Sequence, residues 1–448
     1  MKILLLYFNF KKNRMIKKSL LFQFLFLFIL FTFPVVAQQD YTQLEHRISN
    51  LEKEMGTLKN LKISGYIQAD MNLVGRDGST QVGESKTLSK WDNENYIMRA
   101  GIRRARLKFQ YTYSLFKGVI QTDMTEGSYG MKDIYIQMTP QTSWLGFRVG
   151  LQDRAFGHEL SYSSSKGESI ERTLLTNKLF NGEKDLGGIL TLTAPKGHYL
   201  YGLAFRGGFF NGRGIAKADD GQYDFMGRLT YGKKYTSSSF NLGTSIYLGK
   251  VYNSTYNKAS KHATVYEMNK GQWIANYNYT NQYLQRRYFG IELQTAHHTS
   301  IGTTHFRSEY IFGQQPSTKS SFEYVTKHSA MASDPTTPSG MVEVNYLRSF
   351  RGLYVYLIQD IGKSPFSTVL RYCNFDPNTK QKNTQVTNKT DVHLQQLGLG
   401  GLWKINKAMR LMAYYELSFN EKCERLAAYY YDKDLDDNAL YLRLQYIF

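Results

Sequence analysis

Along residues 102–113, IRRARLKFQYTY, polar and apolar positions alternate. Arg104, Arg106, Lys108, Gln110 and Thr112 hold the even positions, and Ala105, Leu107, Phe109, Tyr111 and Tyr113 the odd ones. In a β-strand the two sets point to opposite faces. A helix would scatter the cations round its circumference, so period two is the better reading. Ile102 and Arg103 break the alternation, as residues at a strand end would. KISGYIQADMNL repeats the pattern, with Lys62, Ser64, Tyr66, Gln68 and Asp70 on one face and Ile63, Ile67, Ala69, Met71 and Leu73 on the other.

Similar segments of about ten residues follow, the length of a tilted membrane strand. They are KGVIQTDM, KDIYIQM, WLGFRVGLQ, GGILTLTA, YLYGLAFRGGFF, YDFMGRLTY, FNLGTSIYL, YFGIELQTA, HFRSEYIFG, RGLYVYLIQD, STVLRYCNF, LQQLGLGGLWKI, KAMRLMAYYEL and ALYLRLQYIF, which with the first two makes sixteen. Short links (PQTS, APKGH, YGKKYTSS, GKSP, INKA) alternate with long polar ones at 153–186, 251–284, 313–350 and 420–437. An even strand count with short turns at one end and long loops at the other predicts an all-β fold, a transmembrane antiparallel β-barrel over residues 61–448. Before it, Tyr41, Leu44, Ile48, Leu51, Met55 and Leu58 are spaced by three and four, a heptad seam over residues 38–60. That segment reads as a periplasmic coiled-coil helix that joins copies of the chain, or as an amphipathic helix packed on its own domain.

Composition sharpens the picture. Tyr 35 and Phe 27 are high and Pro 8 is low, with the aromatics at the ends of alternating segments, where interfacial girdles lie. In residues 15–37, MIKKSLLFQFLFLFILFTFPVVA, Lys17 and Lys18 precede an apolar run that ends in the small residues Val35 and Ala37. This is a secretory signal pattern, so residues 1–37 are read as a signal peptide, with residues 1–14 as an upstream false start. No later apolar run is long enough to span as a helix, and a mature chain in a membrane must therefore be a barrel. Without Lys2, Lys11, Lys12, Arg14, Lys17 and Lys18 the formal charge falls from +19 to +13. The mature chain is basic, and export makes nucleic acid the least suitable of its anionic partners. For Cys373 and Cys423, read as lying just past outward-running strands, a loop-to-loop disulfide and two unpaired thiols both stand open; no CxxC or Cys/His metal spacing occurs.

The last segment ends in Phe448, the aromatic terminus common in outer-membrane barrels. With the signal pattern, the heptads, ISGYIQAD, RRARLKFQYTY, KDIYIQM, LGFRVGLQDRAFG, SIERTLLTNKLFNGEKDLGG, LRYCNFDP, LWKINKAMRLMAYYEL and LRLQYIF, the chain resembles the phosphate-selective porin O and P family in its Bacteroidetes-type branch. The resemblance covers nearly the whole mature chain, and the block with Glu171, Arg172, Asp185, Leu186 and Gly187 is its most specific part. It implies a homotrimer of sixteen-stranded barrels in the outer membrane of a Gram-negative bacterium, with loops folded inward and arginines along the path of an anion. Arg104 and Arg106 match the family's RRAR strand, and Arg148 leads into the constricting segment. At LQDRAFG the family usually has a lysine and a proline before the Phe; here Arg154 is the nearest cation, which bears on phosphate preference more than on the porin reading.

By parity, the lumen receives Arg104, Arg106, Lys108, Arg148, Gln152, Arg154, Arg206, Arg228, Arg286, Arg307, Arg371 and Arg443, because an arginine facing lipid at mid-depth costs about 2–4 kcal/mol. Such guanidiniums form a pathway for small inorganic or organic anions, among them phosphate and polyphosphate, or pair with lumen carboxylates such as Asp70, Asp123, Asp133, Glu292, Glu309 and Glu416 as wall reinforcement. The loop at about 153–187, with Glu171, Arg172 and Lys178, folds inward as a constriction or stays outside as a surface loop. An enzyme is disfavoured by the absence of GxSxG, HExxH and P-loop motifs, and no cofactor is implied. An adhesion or binding barrel and a general non-selective porin remain as alternatives.

Overall fold

The computed structural model describes residues 43–50, 56, 59–82, 96–125, 128–140, 144–180, 182–215, 221–322 and 344–448. The signal peptide, the false start and most of the heptad seam lie outside these residues. Residues 43–50 form one short helix, treated by itself here, on which Leu44 and Ile48 are exposed.

The strands are β1 (Leu61–Gly75), β2 (Tyr96–Tyr113), β3 (Phe116–Met124), β4 (Tyr129–Met138), β5 (Leu145–Asp153), β6 (Lys184–Thr193), β7 (Leu203–Phe210), β8 (Asp224–Lys234) and β9 (Ser238–Tyr252). After them come β10 (Ala263–Asn269), β11 (Gln272–Tyr279), β12 (Tyr283–Thr299), β13 (Gly302–Ser317), β14 (Asn345–Asp360), β15 (Phe366–Asp376), β16 (Leu394–Lys404), β17 (Met409–Asn420) and β18 (Ala439–Ile447). β9 pairs directly with β12, from Tyr252 opposite Tyr283 to Ser238 opposite His297. The β10–β11 hairpin therefore stands outside the ring, whose remaining strands make a closed sixteen-strand antiparallel barrel. Closure runs through β1 and β18, from Tyr66 opposite Ile447 to Val74 opposite Ala439.

All sixteen segments expected from the period-two pattern are wall strands. What the pattern missed is the hairpin inside the long link at 251–284. Its turn is Lys270–Gly271, both at positive φ (48° and 79°) between paired Asn269 and Gln272. Two left-handed residues suit the twist of a two-residue hairpin, but Lys-Gly announces such a turn less clearly than Asn-Gly does.

Alternation sorts each wall strand. On β1, Gln68, Asp70 and Asn72 are buried, while Ile63 and Ile67 are exposed on the outer face. β2 corrects the expectation at its start. The strand begins at Tyr96, and Ile102 and Arg103 are not an end: burial changes phase between Arg103 and Arg104, so these adjacent arginines both turn inward. Such a phase change is what a bulge does to a strand.

The interior is not uniformly polar. Tyr247, Tyr288, Phe350, Tyr354, Phe375 and Tyr414, all from wall strands, form a buried apolar cluster with Phe156, Leu160, Ile170, Leu175, Leu179 and Phe180 of the segment between β5 and β6. Burying one such side chain contributes about 1.5–3 kcal/mol, more than a typical exposed ion pair at about 0–1 kcal/mol. The segment is thus held chiefly by apolar packing on one side of the bore. Gly352 of β14 permits its closest approach, because a Cβ there would lie 2.3 Å from Leu175 Cδ1. Gly352→Val is expected to overpack this contact and cost about 1–3 kcal/mol, read as a lower unfolding midpoint in detergent. Cys373 lies within β15, not past it, and is buried as a free thiol, as is Cys423 in the loop before β18.

Candidate ion pathway inside the barrel

The segment from Arg154 to Glu183 contacts side chains all round the wall. Gly157 N donates to Ser245 of β9, Arg228 of β8 donates to Ser161, and Arg307 of β13 grips Glu168 through two bonds of 2.7 and 2.9 Å. On the far side, Gln68 of β1 donates to Ser164 O and Arg410 of β17 to Gly167 O. A segment that reaches strands this far apart must cross the bore.

Two carboxylates of the segment organise it. Glu159 accepts from Thr173 N (3.0 Å), Thr173 Oγ1 (2.5 Å), Thr176 Oγ1 (2.5 Å) and Tyr356 OH (2.8 Å), which fastens the start of the short helix Leu174–Leu179 to β14. Glu171 sits among three guanidiniums, with Arg103 Nε at 2.9 Å, Arg104 Nη2 at 2.5 Å and Arg443 Nη2 at 3.2 Å. Arg371 donates to its backbone oxygen at 2.9 Å. Burial alone would raise the Glu171 pKa, but Arg104, then Arg103 and Arg443, hold it well below the carboxylate range. At Glu183 burial is likewise outweighed by Arg172, then Arg106, and the pKa falls to about 2.

A depressed carboxylate pKa contributes stability that is complete above the unfolded value of 4.5 and is lost as pH falls through the folded value. The unfolding midpoint is therefore expected to hold above about pH 5 and to decline steadily toward about pH 2. Glu171→Gln should flatten that decline; an unchanged acid limb would remove Glu171 from the account.

The eleven cations nominated for the pathway divide into two groups. Eight are in ion pairs: Arg104 with Glu171, Arg106 with Asp123, Arg154 with Asp185, Arg228 with Glu292, Arg286 with Asp224, Arg307 with Glu168, Arg371 with Glu416, and Arg443 with Asp70. The Arg443–Asp70 pair is bidentate at 2.7 Å, with the two side chains 1% and 0% exposed. The other three, Lys108, Arg148 and Arg206, have no carboxylate within 4 Å among the described residues. Arg148 donates to Gln137 at 2.9 Å and lies 4.2 Å over the Tyr135 ring, while Arg206 Nη2 is buried without a hydrogen-bond partner.

Lys108 and Arg148 line a cavity of about 400 Å³ between the crossing segment and the wall, with Arg106, Arg172 and Lys184 and the carboxylates of Asp133, Asp153 and Glu183. Arg148 and Arg206 line a second one of about 270 Å³ with Gln137, Thr139 and Thr191. This side of the bore is hydrated and cationic, opposite the apolar cluster. Gln152 is buried and donates to Gly187 O, Arg172 pairs with Glu183 and donates to Glu159 O, and Lys178 is exposed on its helix.

The parity argument passed over three participants. Arg103 was set aside as a strand end; its signal was the broken alternation itself. Lys184 bridges Asp133 (2.7 Å) and Asp153 (2.5 Å), but opens β6 where no pattern had begun. Arg348 pairs with Asp391 at 2.7 Å, both fully buried, in a stretch read as loop.

No family model matches the sequence, and no curated protein matches it. Among solved structures, the chain is similar to the outer membrane channel DcaP of Acinetobacter baumannii (12% identity, 87% of this chain and 97% of that one, TM-score 0.50). It is similar to the same degree to OmpF of Salmonella typhi, solved as a complex with daunomycin (12% identity, 87% and 97%, TM-score 0.50). At such identity the likeness is one of fold, and does not distinguish the phosphate-selective branch from other porins. The chain has the fold of the Gram-negative outer-membrane porins, a closed sixteen-strand antiparallel barrel with a segment crossing its bore.

Proposed function

We propose that this protein is an outer-membrane porin through which small anions diffuse passively along the β2–β7 side of the bore. The observation that carries the reading is the asymmetry of the lumen. One side is filled by the apolar packing of the crossing segment, and the other is an open cavity edged by Lys108, Arg148 and Arg206, which no carboxylate neutralises. Fixed cations in a narrow, low-dielectric passage raise the local anion concentration. Several moderate sites in series also let an anion leave, as conduction requires.

In this reading the eight paired arginines are struts. Each has its charge cancelled locally, and together they fix the wall and the crossing segment. Phosphate and polyphosphate fit the exposed guanidiniums as bidentate acceptors, and sulfate or anionic sugars fit them equally. The homotrimer implied by the sequence resemblance belongs to the same proposal.

Planar-bilayer recording separates this from an adhesion barrel with a closed bore. The purified protein is expected to produce discrete conductance steps, and millimolar phosphate to reduce the chloride current. Silence in the bilayer from correctly folded protein would favour adhesion, and phosphate without effect on a conducting channel would favour a general porin.

A further inference from the structure

The outer face of β9, β12, β13 and β14 carries a polar patch that conduction does not use. Lys250, Arg287 and Arg351 are exposed, while their strand neighbours Val251, Arg286 and Gly352 are buried, so the three cations point away from the bore. Cations on a barrel's lipid face are unfavourable at the bilayer midplane and tolerated near its interfaces. These three lie toward the loop end of their strands. Lys250 is opposite Gln285, Arg287 opposite Leu248 and Gln314, and Arg351 opposite Phe312.

Directly toward the turn end, the surface becomes apolar. Phe289 is opposite Phe312 with the rings stacked at 5.7 Å and 29°, and Ile291 is opposite Tyr310. These side chains are 39–54% exposed, on a face that meets hydrocarbon. Lys250 and Arg287 are diagonal neighbours across a strand pair, roughly 7–8 Å apart at their Cβ atoms. Among the described residues, the one carboxylate in ion-pair range of the three is Asp376, 3.6 Å from Arg351 Nε. The positive charge is left largely uncompensated, above a band of exposed aromatic rings.

We propose that this patch is a binding site for a phosphate-bearing lipid of the outer leaflet. The phosphate is held by Lys250, Arg287 and Arg351, and the acyl chains lie over Phe289, Phe312 and Ile291. Charge and position both select this occupant. Arginine forks match phosphate oxygens, and basic groups at a membrane boundary recognise anionic headgroups. A free phosphate would make no use of the rings below. A second copy of the chain would have to bury Lys250 and Arg287 against an apolar wall without a counter-charge. The inference rests on the barrel spanning a bilayer with its long loops outside, and not on what the bore conducts.

The test is titration of delipidated protein with diphosphoryl lipid A, followed by native mass spectrometry, with channel conductance and heat-modifiable gel mobility confirming that each variant is folded. The triple variant K250Q/R287Q/R351Q is expected to bind about a hundredfold more weakly than wild type with conductance and mobility unchanged. Lys404→Gln, at the turn end, should bind as wild type does, and monophosphoryl lipid A should bind more weakly to wild type. Equal binding by the triple variant and wild type would overturn the proposal, as would equal loss in Lys404→Gln or displacement of the lipid by inorganic phosphate. A channel that fails to conduct but still binds lipid through these residues would sink the porin reading alone.

Discussion

Replacing Glu171 with alanine should destabilise the barrel by about 3–5 kcal/mol, because it strips the shared counter-charge from Arg103, Arg104 and Arg443 and leaves guanidiniums uncompensated in the interior. The crossing segment should not leave the bore, since Phe156, Leu175 and Phe180 still anchor it in the apolar cluster. Its attachment to β2 and β18 is what is lost. Single-channel conductance should therefore rise and become noisier, and anion preference should increase as the freed guanidiniums face the water. Glu171→Gln separates these effects, since it keeps the side chain's volume while removing its charge. Anion preference should rise in both variants, whereas a larger current with no change in ion preference would mean that Glu171 only fastens the segment.

The second large effect is expected from Lys108, Arg148 and Arg206. Changing all three to glutamine should lower the anion-to-cation permeability ratio roughly tenfold, the low end of what focused charge achieves in a cleft. Stability should barely move, because none of the three is in an ion pair and exposed substitutions of this kind usually stay within about 0.5 kcal/mol. Arg443→Gln provides the contrast: it leaves Asp70 buried without its bidentate partner, costs about 3–5 kcal/mol and changes permeability little. If Arg443→Gln alters selectivity as much as the triple variant does, the division into struts and pathway is wrong.

The wall strands were legible because one face of each meets hydrocarbon and must be apolar, a demand that a period-two pattern records without any knowledge of partners. The interior was less legible, for two reasons. In RGLYVYLIQD, Tyr354 and Tyr356 face inward and Leu353 and Val355 outward, so both faces read as greasy and the apolar packing of the crossing segment left no mark in the alternation. Pairing is invisible for another reason. Arg443 meets Asp70 from 373 residues away and Glu171 from 272, and parity says only that an arginine points inward, never that a carboxylate waits there.

Arg103 is the instructive residue. An irregularity in a regular strand places two consecutive side chains on one face, and here it presents two guanidiniums to a single carboxylate. A break in alternation among charged residues is therefore better treated as a site to inspect than as the end of an element.

The most direct measurement is the reversal potential of the wild-type channel in a potassium chloride gradient at neutral pH. Permeation past Lys108, Arg148 and Arg206 requires a potential of the sign that marks chloride as the more permeant ion. A potential that marks potassium as the more permeant ion would contradict the account.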